Sequence, residues 1–159
     1  MAKNIDKTNV MRVLDQKKLA YKIYHFETDK ALSGVEVAGV LGIEESKIFK
    51  TLVTVGKSKE HYVFVIPVAA ELNLKRAASV AGEKNIEMIA QKELLPLTGY
   101  VHGGCSPIGM KKLFKTFIDK SAEEQKTIVF SGGKIGFQVE MNPKELAVMI
   151  GAEFENIAD

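Results

Sequence analysis

Residues 48–68 read IFKTLVTVGKSKEHYVFVIPV, two apolar runs separated by a short polar segment. The runs over 48–55 and 61–68 are rich in β-branched and aromatic residues, which favour strands. The residues between them, 56–60, begin with glycine and are otherwise polar, as is typical of a hairpin turn. This segment therefore predicts an antiparallel pair of strands within a sheet.

Helical and extended patterns alternate on both sides of this hairpin. Side-chain periodicity and capping residues predict helices over about residues 5–18, from Ser33 to Gly42, from Asn73 to Gly82 and from Asn142 to Gly151, with a helical turn over 91–97. Further strands are predicted over 21–26, 86–90, 116–119, 127–131 and 137–141. In the second helix, Val37, Val40 and Leu41 are predicted to face the core. These elements predict an α/β (α+β) fold in which helices surround a mixed, partly barrel-like β-sheet, in a single domain over 1–159.

The composition is typical of a globular protein, with 46% hydrophobic and 26% charged residues and a formal net charge of +2. This small basic excess permits an RNA partner without requiring one. The first residues, MAKNIDK, are polar where a signal peptide has an apolar core, and no apolar run approaches the ~18 residues that cross a bilayer. A single cysteine, Cys105, cannot form an internal disulfide, so we expect a cytoplasmic protein.

Lys50 is the least expected residue of the first strand of the hairpin. Because side chains alternate between faces, it shares one face with Ile48 and Leu52, while Phe49 and Val53 lie on the other. A lysine among apolar neighbours is rarely buried without a partner, since desolvating its ammonium group is costly. Lys50 therefore indicates either a cavity in which the charge meets a partner, or an edge strand from which the side chain reaches water.

Two glycine-rich loops lie in the second half of the chain, over 103–107 and 131–136. Glycine lets backbone N–H groups come close to a ligand oxygen, such as a phosphate or a developing oxyanion. Neither loop has the pattern of a nucleotide-binding loop, and the second is also explained by a tight turn between strands. The histidines are scattered, and no Cys/His group has metal-ligand spacing, so we expect no metal. Packing is the simpler explanation of the pair His102 and Cys105.

An ordered set of short motifs resembles the YbaK/EbsC family of aminoacyl-tRNA deacylases. In chain order these motifs are Lys50-Thr51-Leu52, Ile66-Pro67-Val68, Leu74-Lys75, Gly99-Tyr100, Gly103-Gly104, Ser106-Pro107, Lys111-Lys112 and Ser131-Gly132-Gly133-Lys134. No single motif is decisive, but together the resemblance extends from about residue 10 to residue 158. It favours the functional interpretation of Lys50 over the edge-strand interpretation.

The resemblance implies a fold related to the editing domain of bacterial prolyl-tRNA synthetases, and hydrolysis of the ester bond in mischarged tRNA. It implies Cys-tRNA(Pro) as the main substrate, cleaved in trans alongside the synthetase and without a cofactor. The substrate's own thiol would attack the ester carbonyl, and Lys50 would be the catalytic residue. The implied partners are the acceptor end of the tRNA and prolyl-tRNA synthetase, with no DNA and no membrane.

The resemblance also implies which residues bind the substrate. They are Phe26, Thr51, Gly103, Gly104, Cys105, Ser106, Pro107, Ser131, Gly132, Gly133 and Gln138. Backbone N–H groups over 103–106 would form the oxyanion hole, residues 131–133 the pocket floor, and Phe26 would limit the pocket to a small amino acid. Phe26 stands where the family commonly has tyrosine, and Gln138 where it commonly has aspartate, so two titratable groups are missing from the implied pocket rim.

Two alternatives stay open because of these differences. In the first, the chain edits alanyl- or seryl-tRNA, and water attacks the ester directly. In the second, it is a non-catalytic module that binds tRNA or a synthetase. Comparing release from cysteinyl- and seryl-tRNA separates thiol attack from water attack, since the two esters differ in the proposed nucleophile.

Overall fold

The structure, a computed structural model, describes residues 7–159. Its helices are α1 (Asn9–Gln16), α2 (Gly34–Leu41), α3 (Leu74–Ala81), α4 (Leu94–Thr98) and α5 (Pro143–Ile150), with 3₁₀ turns over Glu45–Lys47, Gln91–Glu93 and Lys120–Glu124. Its strands are β1 (Lys22–His25), β2 (Phe49–Gly56), β3 (His61–Pro67), β4 (Ile86–Met88), β5 (Lys115–Asp119), β6 (Ile128–Ser131), β7 (Phe137–Met141) and β8 (Glu153–Glu155). No helix within these residues is long and apolar enough to cross a membrane.

The strands form two sheets. The larger sheet has the order β4-β2-β3-β5-β8, in which β2 pairs antiparallel with β3 and β4, while β5 lies parallel to both β3 and β8. The smaller sheet is antiparallel, in the order β1-β7-β6. A parallel bridge between Ile48 and Val129 connects the two sheets. The predicted mixed sheet with surrounding helices is confirmed, and over the described residues it is built from two adjoining sheets that do not close into a barrel.

Apolar side chains cover both faces of the larger sheet. On one face, Val53, Val65 and Ile118 belong to a core that also includes α1, α5 and one face of the smaller sheet. On the other face, Phe64 and Phe117 pack against α3 and the end of the chain. Because β2 and β3 are covered on both sides, they form the near-continuous apolar runs seen in the sequence.

The helix boundaries follow from short-range capping. The Ser33 side chain accepts a hydrogen bond from the Glu36 amide, and the Glu36 carboxylate accepts one from the Ser33 amide, so the predicted capping box begins α2. The helix ends at Gly42, whose φ of 69° is left-handed and therefore suits glycine. Val37 is buried as predicted, but the prediction for Val40 is wrong, since it is 57% exposed. The helix packs through one narrow side, which Val40 does not reach.

The three-residue strand β8 was not predicted from the sequence. Glu153 and Glu155 carry charges that are unusual in a strand, and the segment is too short to show periodicity. It forms because the segment pairs with β5 at the edge of the larger sheet. The next residues are held by the buried Asp119 carboxylate, which accepts hydrogen bonds from the amides of Ile157 and Ala158 at 3.1 and 3.0 Å.

Candidate functional site

A cavity of about 410 Å³ lies where the two sheets adjoin. It is bounded by the start of α2, the first half of β2, the loop over 102–105 and the facing ends of β6 and β7. The residues that line it are Leu32, Ser33, Gly34, Val35, Val37, Ile48, Phe49, Lys50, Thr51, Leu52, Val68, Leu94, His102, Gly103, Cys105, Ser131 and Gln138. Apolar side chains form part of this lining, and the rest carries an ammonium group, hydroxyl groups, an amide, an imidazole and a thiol.

The strand registers explain why these polar residues meet. Ile48 and Val129 form the parallel bridge between the sheets. Lys50 and Ser131 each lie two residues further along their strands, so their side chains are on the same faces as those of the bridged pair. Gln138 is directly opposite Ser131 in the pairing of β6 with β7. The bridge thus places Lys50 on one side of the cavity, with Ser131 and Gln138 on the other.

Lys50 is half-buried, and no carboxylate of residues 7–159 lies within 4.0 Å of its Nζ. The strand β4 pairs with β2 only from Thr54 to Gly56, so the edge of β2 is open beside Lys50. The structure therefore supplies the cavity that the sequence indicated, without a charged partner from the described chain. An unpaired cation in a cavity is an attractive site for an anionic group or a developing negative charge.

Thr51 follows Lys50 and also lines the cavity. Its hydroxyl is buried and has no hydrogen-bond partner in the part of the chain that the structure describes. A buried hydroxyl without a partner costs free energy, about 1–3 kcal/mol. A bound ligand that hydrogen-bonds to Thr51 would remove this cost.

The first glycine loop contributes Gly103 and Cys105 to the cavity lining. Gly103 has a left-handed φ of 88°, and a Cβ at this position would lie 2.6 Å from the Cβ of Ala31. The amide of Gly104 already donates to the carbonyl of Val101 at 2.9 Å. Gly104 therefore contributes no free amide, and within this loop Gly103 and Cys105 are the residues that border the cavity.

The second glycine loop acts as a tight turn, which was the alternative explanation of its sequence. The Gly132 amide donates to the Phe137 carbonyl at 2.8 Å, and the Gly133 amide donates to the Ser131 hydroxyl at 3.1 Å. The two glycines connect β6 to β7 and lie outside the lining. Ser131 itself remains at the cavity surface.

Three further implied substrate-binding residues lie elsewhere. Phe26 follows β1, where its amide donates to the carbonyl of Gly136, and it does not line the cavity. Ser106 is fully buried, and its hydroxyl accepts a hydrogen bond from the Ile108 amide at 3.3 Å. Pro107 lines a separate groove of about 220 Å³. Like Gly104 and the two glycines of the turn, these residues do not line the cavity.

Cys105 is an inactive thiol at neutral pH. Burial raises its pKa to about 12, although a hydrogen bond with Thr98 acts in the opposite direction. Because the thiolate is the nucleophilic form, a thiol with this pKa stays protonated and unreactive. No group of three or more His, Cys, Asp or Glu residues suited to a metal ion occurs within residues 7–159. The chemical groups at the cavity are therefore the Lys50 ammonium, the His102 imidazole, hydroxyls, amides and a protonated thiol.

An apolar limit on the size of the pocket was expected at Phe26, but the residues that form the apolar wall were not identified from the sequence. This wall consists of Leu32, Val35 and Val37 around the start of α2, with Leu94 from α4. Val35 is 42% exposed, which is unusual for a large apolar side chain and marks it as part of a binding surface. This exposure cannot be read from the sequence, because it depends on the fold.

Residues 28–148 match the family model of the aminoacyl-tRNA editing domain. The chain is 45% identical over 156 residues to EbsC of Enterococcus faecalis, a proposed Cys-tRNA(Pro)/Cys-tRNA(Cys) deacylase, with 98% of this chain and 95% of that protein covered. It is also 31% identical over 100 residues to a proline–tRNA ligase of Thermosipho melanesiensis, covering 62% of this chain and 17% of the ligase. The match is therefore to a small part of that longer enzyme.

Two crystal structures have similar folds. A hypothetical protein superimposes with a TM-score of 0.87 at 25% identity, covering 94% of this chain and 99% of the other. A proposed trans-editing enzyme for prolyl-tRNA synthetase superimposes with a TM-score of 0.81 at 24% identity, covering 94% and 96%. The family match covers most of the chain and EbsC matches almost all of it, so the chain belongs to the aminoacyl-tRNA editing domain family.

Proposed function

We propose that this chain is a trans-editing deacylase that hydrolyses the ester bond of mischarged tRNA, with Cys-tRNA(Pro) as its main substrate. The observation that carries the proposal is the unpaired ammonium group of Lys50 in a cavity of about 410 Å³, within a chain of the editing domain family. The relative EbsC, named for deacylation of Cys-tRNA(Pro) and Cys-tRNA(Cys), supports this choice of substrate. Residues 1–159 act as one editing domain in this proposal.

The nucleophile comes from the substrate. Cys105 is protonated, and the cavity contains no histidine–serine or histidine–cysteine pair joined by a hydrogen bond within the described residues. A cysteinyl thiol has a pKa near ~8.5, so a few per cent is thiolate at neutral pH. This sulfur attacks its own ester carbonyl, the C–O bond to the ribose breaks, and the ribose oxygen takes up a proton. The cyclic thioester that remains is opened by water to give cysteine.

Lys50 stabilises the negative charge that forms on the carbonyl oxygen during this attack. A well-aimed donor at such an oxygen contributes about 3 kcal/mol, equivalent to a 10²–10³-fold rate effect. The Gly103 and Cys105 backbone borders the same cavity and completes the donor set. Thr51 and Ser131 supply hydroxyl groups for the ribose or the amino group, and Gln138 supplies an amide where the family commonly has aspartate.

The apolar wall limits the size of the aminoacyl group. Leu32, Val35 and Leu94 offer no hydrogen-bonding side chain, so they favour an aminoacyl side chain of low polarity. Because they also occupy part of the cavity, they favour a small side chain such as that of cysteine. A pocket of this kind separates cysteine from alanine or serine only weakly, because removing one small group changes binding by about 1–3 kcal/mol. Selection of cysteine therefore rests on its thiol as the reacting group.

The partners follow from the substrate. Proline–tRNA ligases of Thermosipho melanesiensis and Brachyspira hyodysenteriae each contain a segment similar to this chain, amounting to 17% and 23% of their lengths. A separate chain with the same domain would act on tRNA released by such a ligase, in the cytoplasm where aminoacylation takes place. The acceptor end of the tRNA is then the primary partner, and prolyl-tRNA synthetase is a second one.

The test is deacylation of cysteinyl-, alanyl- and seryl-tRNA(Pro) by the wild type, Lys50→Ala and Lys57→Ala. Lys57 is the matched control, since it is an exposed lysine at the far end of the same hairpin. We expect cysteine release by the wild type and Lys57→Ala, and a loss of about 10²–10³-fold in Lys50→Ala. Equal release from cysteinyl- and seryl-tRNA would show that water, and not the substrate thiol, attacks the ester. Release from none of the three would favour the alternative that the chain is a non-catalytic module that binds tRNA or a synthetase.

A further inference from the structure

Glu140 is a buried carboxylate on β7, with only 8% of its side chain exposed. The hydroxyl of Tyr24 donates to its Oε1 at 2.6 Å, and the Nζ of Lys47 lies 2.8 Å from its Oε2. The hydroxyl of Thr127 also donates to Oε2. Burial raises the pKa of Glu140, but these three hydrogen bonds outweigh burial and lower the pKa to about 2. The carboxylate is therefore charged throughout the neutral range.

The three donors belong to different parts of the chain. Tyr24 is in β1, Lys47 is in the 3₁₀ turn that leads into β2, and Thr127 precedes β6. The carboxylate on β7 thus connects the strands of the smaller sheet to one another. Through Lys47 it also connects the smaller sheet to the first strand of the larger one. Charge-assisted hydrogen bonds of this kind are stronger than neutral ones and hold a more defined geometry.

These contacts lie one step along the strands from the cavity. Val129 is opposite Glu140 in the pairing of β6 with β7, and Ile48 forms the bridge to Val129. Lys50 lies two residues after Ile48, and Ser131 lies two residues after Val129. Gln138 lies two residues before Glu140, because β7 runs antiparallel to β6. A shift of two residues keeps each side chain on the same face of its strand. The Lys47–Glu140 pair and the backbone bridge join the two sheets beside the cavity. They therefore determine how far Lys50 lies from Ser131 and Gln138.

We propose that Glu140 is a positioning residue of the editing site, which holds the wall of Ser131 and Gln138 at a defined distance from Lys50. The inference rests on the deacylase function proposed above. Glu140 does not line the cavity, so it acts through the strands that carry the lining residues. Because a displacement of about 1 Å at a reacting group can cost ~10² in rate, loosening this junction lowers turnover.

The test compares Glu140→Gln with the matched control Glu83→Gln. Glu83 also accepts hydrogen bonds from a tyrosine and a serine, with the Tyr62 hydroxyl at 2.7 Å and the Ser58 amide at 3.1 Å, and it lies outside the cavity. We expect kcat/KM for cysteinyl-tRNA(Pro) to fall at least about tenfold in Glu140→Gln and to stay within about twofold in Glu83→Gln. Both are assayed at a temperature at which circular dichroism shows a folded protein.

Milder variants separate positioning from folding. Lys47→Arg keeps a cation that reaches Glu140 and is expected to keep most of the activity, whereas Lys47→Met is expected to lose it. Tyr24→Phe removes one hydroxyl while retaining the ring, so we expect this variant to fold. It replaces Glu140→Gln in the test if Glu140→Gln does not fold. Its kcat is expected to fall by a smaller factor than that of Lys47→Met. Wild-type kcat in both Tyr24→Phe and Lys47→Met would overturn the inference.

Crystal structures of the wild type and Glu140→Gln provide a readout that does not need turnover. We expect Ser131 and Gln138 to be displaced from Lys50 by about 1 Å in the variant. An unchanged separation would overturn the inference even if activity fell. Absence of amino acid release by the wild type would instead reject the proposed function, while the measured displacement would still decide whether Glu140 sets the cavity width.

Discussion

Replacing Glu140 by Gln removes the charge at the junction of the sheets and should change how stability depends on pH. The pKa of Glu140 is about 2 in the folded protein, against an ordinary value of 4.5. This difference corresponds to roughly 3 kcal/mol of folding free energy at neutral pH. Since only 8% of the side chain is exposed, solvent screening reduces this value little.

The direction follows from where the proton binds. The unfolded chain takes up a proton at Glu140 as the pH falls through about 4.5, while the folded protein takes it up only near pH 2. The stabilisation is therefore complete above pH 4.5 and is lost as the pH falls towards 2. By pH 3 the wild type should have lost about 2 kcal/mol of this contribution, which Glu140→Gln cannot lose.

The assay is urea unfolding of both proteins, followed by circular dichroism at pH 7, 5, 4 and 3. The other carboxylates titrate in both proteins, so the difference in the free energy of unfolding isolates Glu140. We expect this difference to shrink by about 2 kcal/mol between pH 7 and pH 3. A difference that stays constant over this range would refute a low pKa for Glu140, and with it the stabilisation that its three hydrogen bonds supply to the charged form.

Three further substitutions test the cavity, and a fourth, at Gly39, is a control outside it. Cys105→Ser should retain deacylation, because burial keeps the thiol protonated with a pKa of about 12, and a loss of turnover would implicate a protein thiol. Thr51→Val should raise the free energy of unfolding by about 1 kcal/mol, by removing a buried hydroxyl without a partner, and should lower the rate of cysteine release. Gly34→Ala should destabilise the protein by about 1–3 kcal/mol, since its Cβ would lie 2.2 Å from Val68 Cγ1. Gly39→Ala in the same helix meets nothing within 4 Å and should stabilise it by about 0.5–1 kcal/mol in thermal unfolding.

Short-range signals in the sequence predicted most of the helices and strands. The start of α2 follows from Ser33 and Glu36, three residues apart, and the caps Asn73 and Asn142 each act within their own helix. The hairpin over 48–68 is equally local. Such elements were predictable because the interactions that begin and end them lie within a few residues of each other.

The parts of the site that depend on distant residues could not be predicted. Lys50 was singled out because a charge in an apolar strand is anomalous on its own. The Lys47–Glu140 pair joins a turn to a strand far along the chain, and the local sequence of neither residue indicates its partner. The position of Phe26 outside the cavity follows from the pairing of β1 with β7, which is a long-range contact.

The order of the strands along the chain has a consequence for synthesis. Tyr24 and Glu140 are 116 residues apart, so the smaller sheet cannot assemble until almost the whole chain has left the ribosome. Chains fold as they emerge, N-terminal part first, and Lys50 is exposed long before the wall opposite it exists. A nascent chain that ends before Glu140 should therefore be inactive. An esterase built in this order stays harmless to the aminoacyl esters that surround it on the ribosome until its own synthesis is nearly complete.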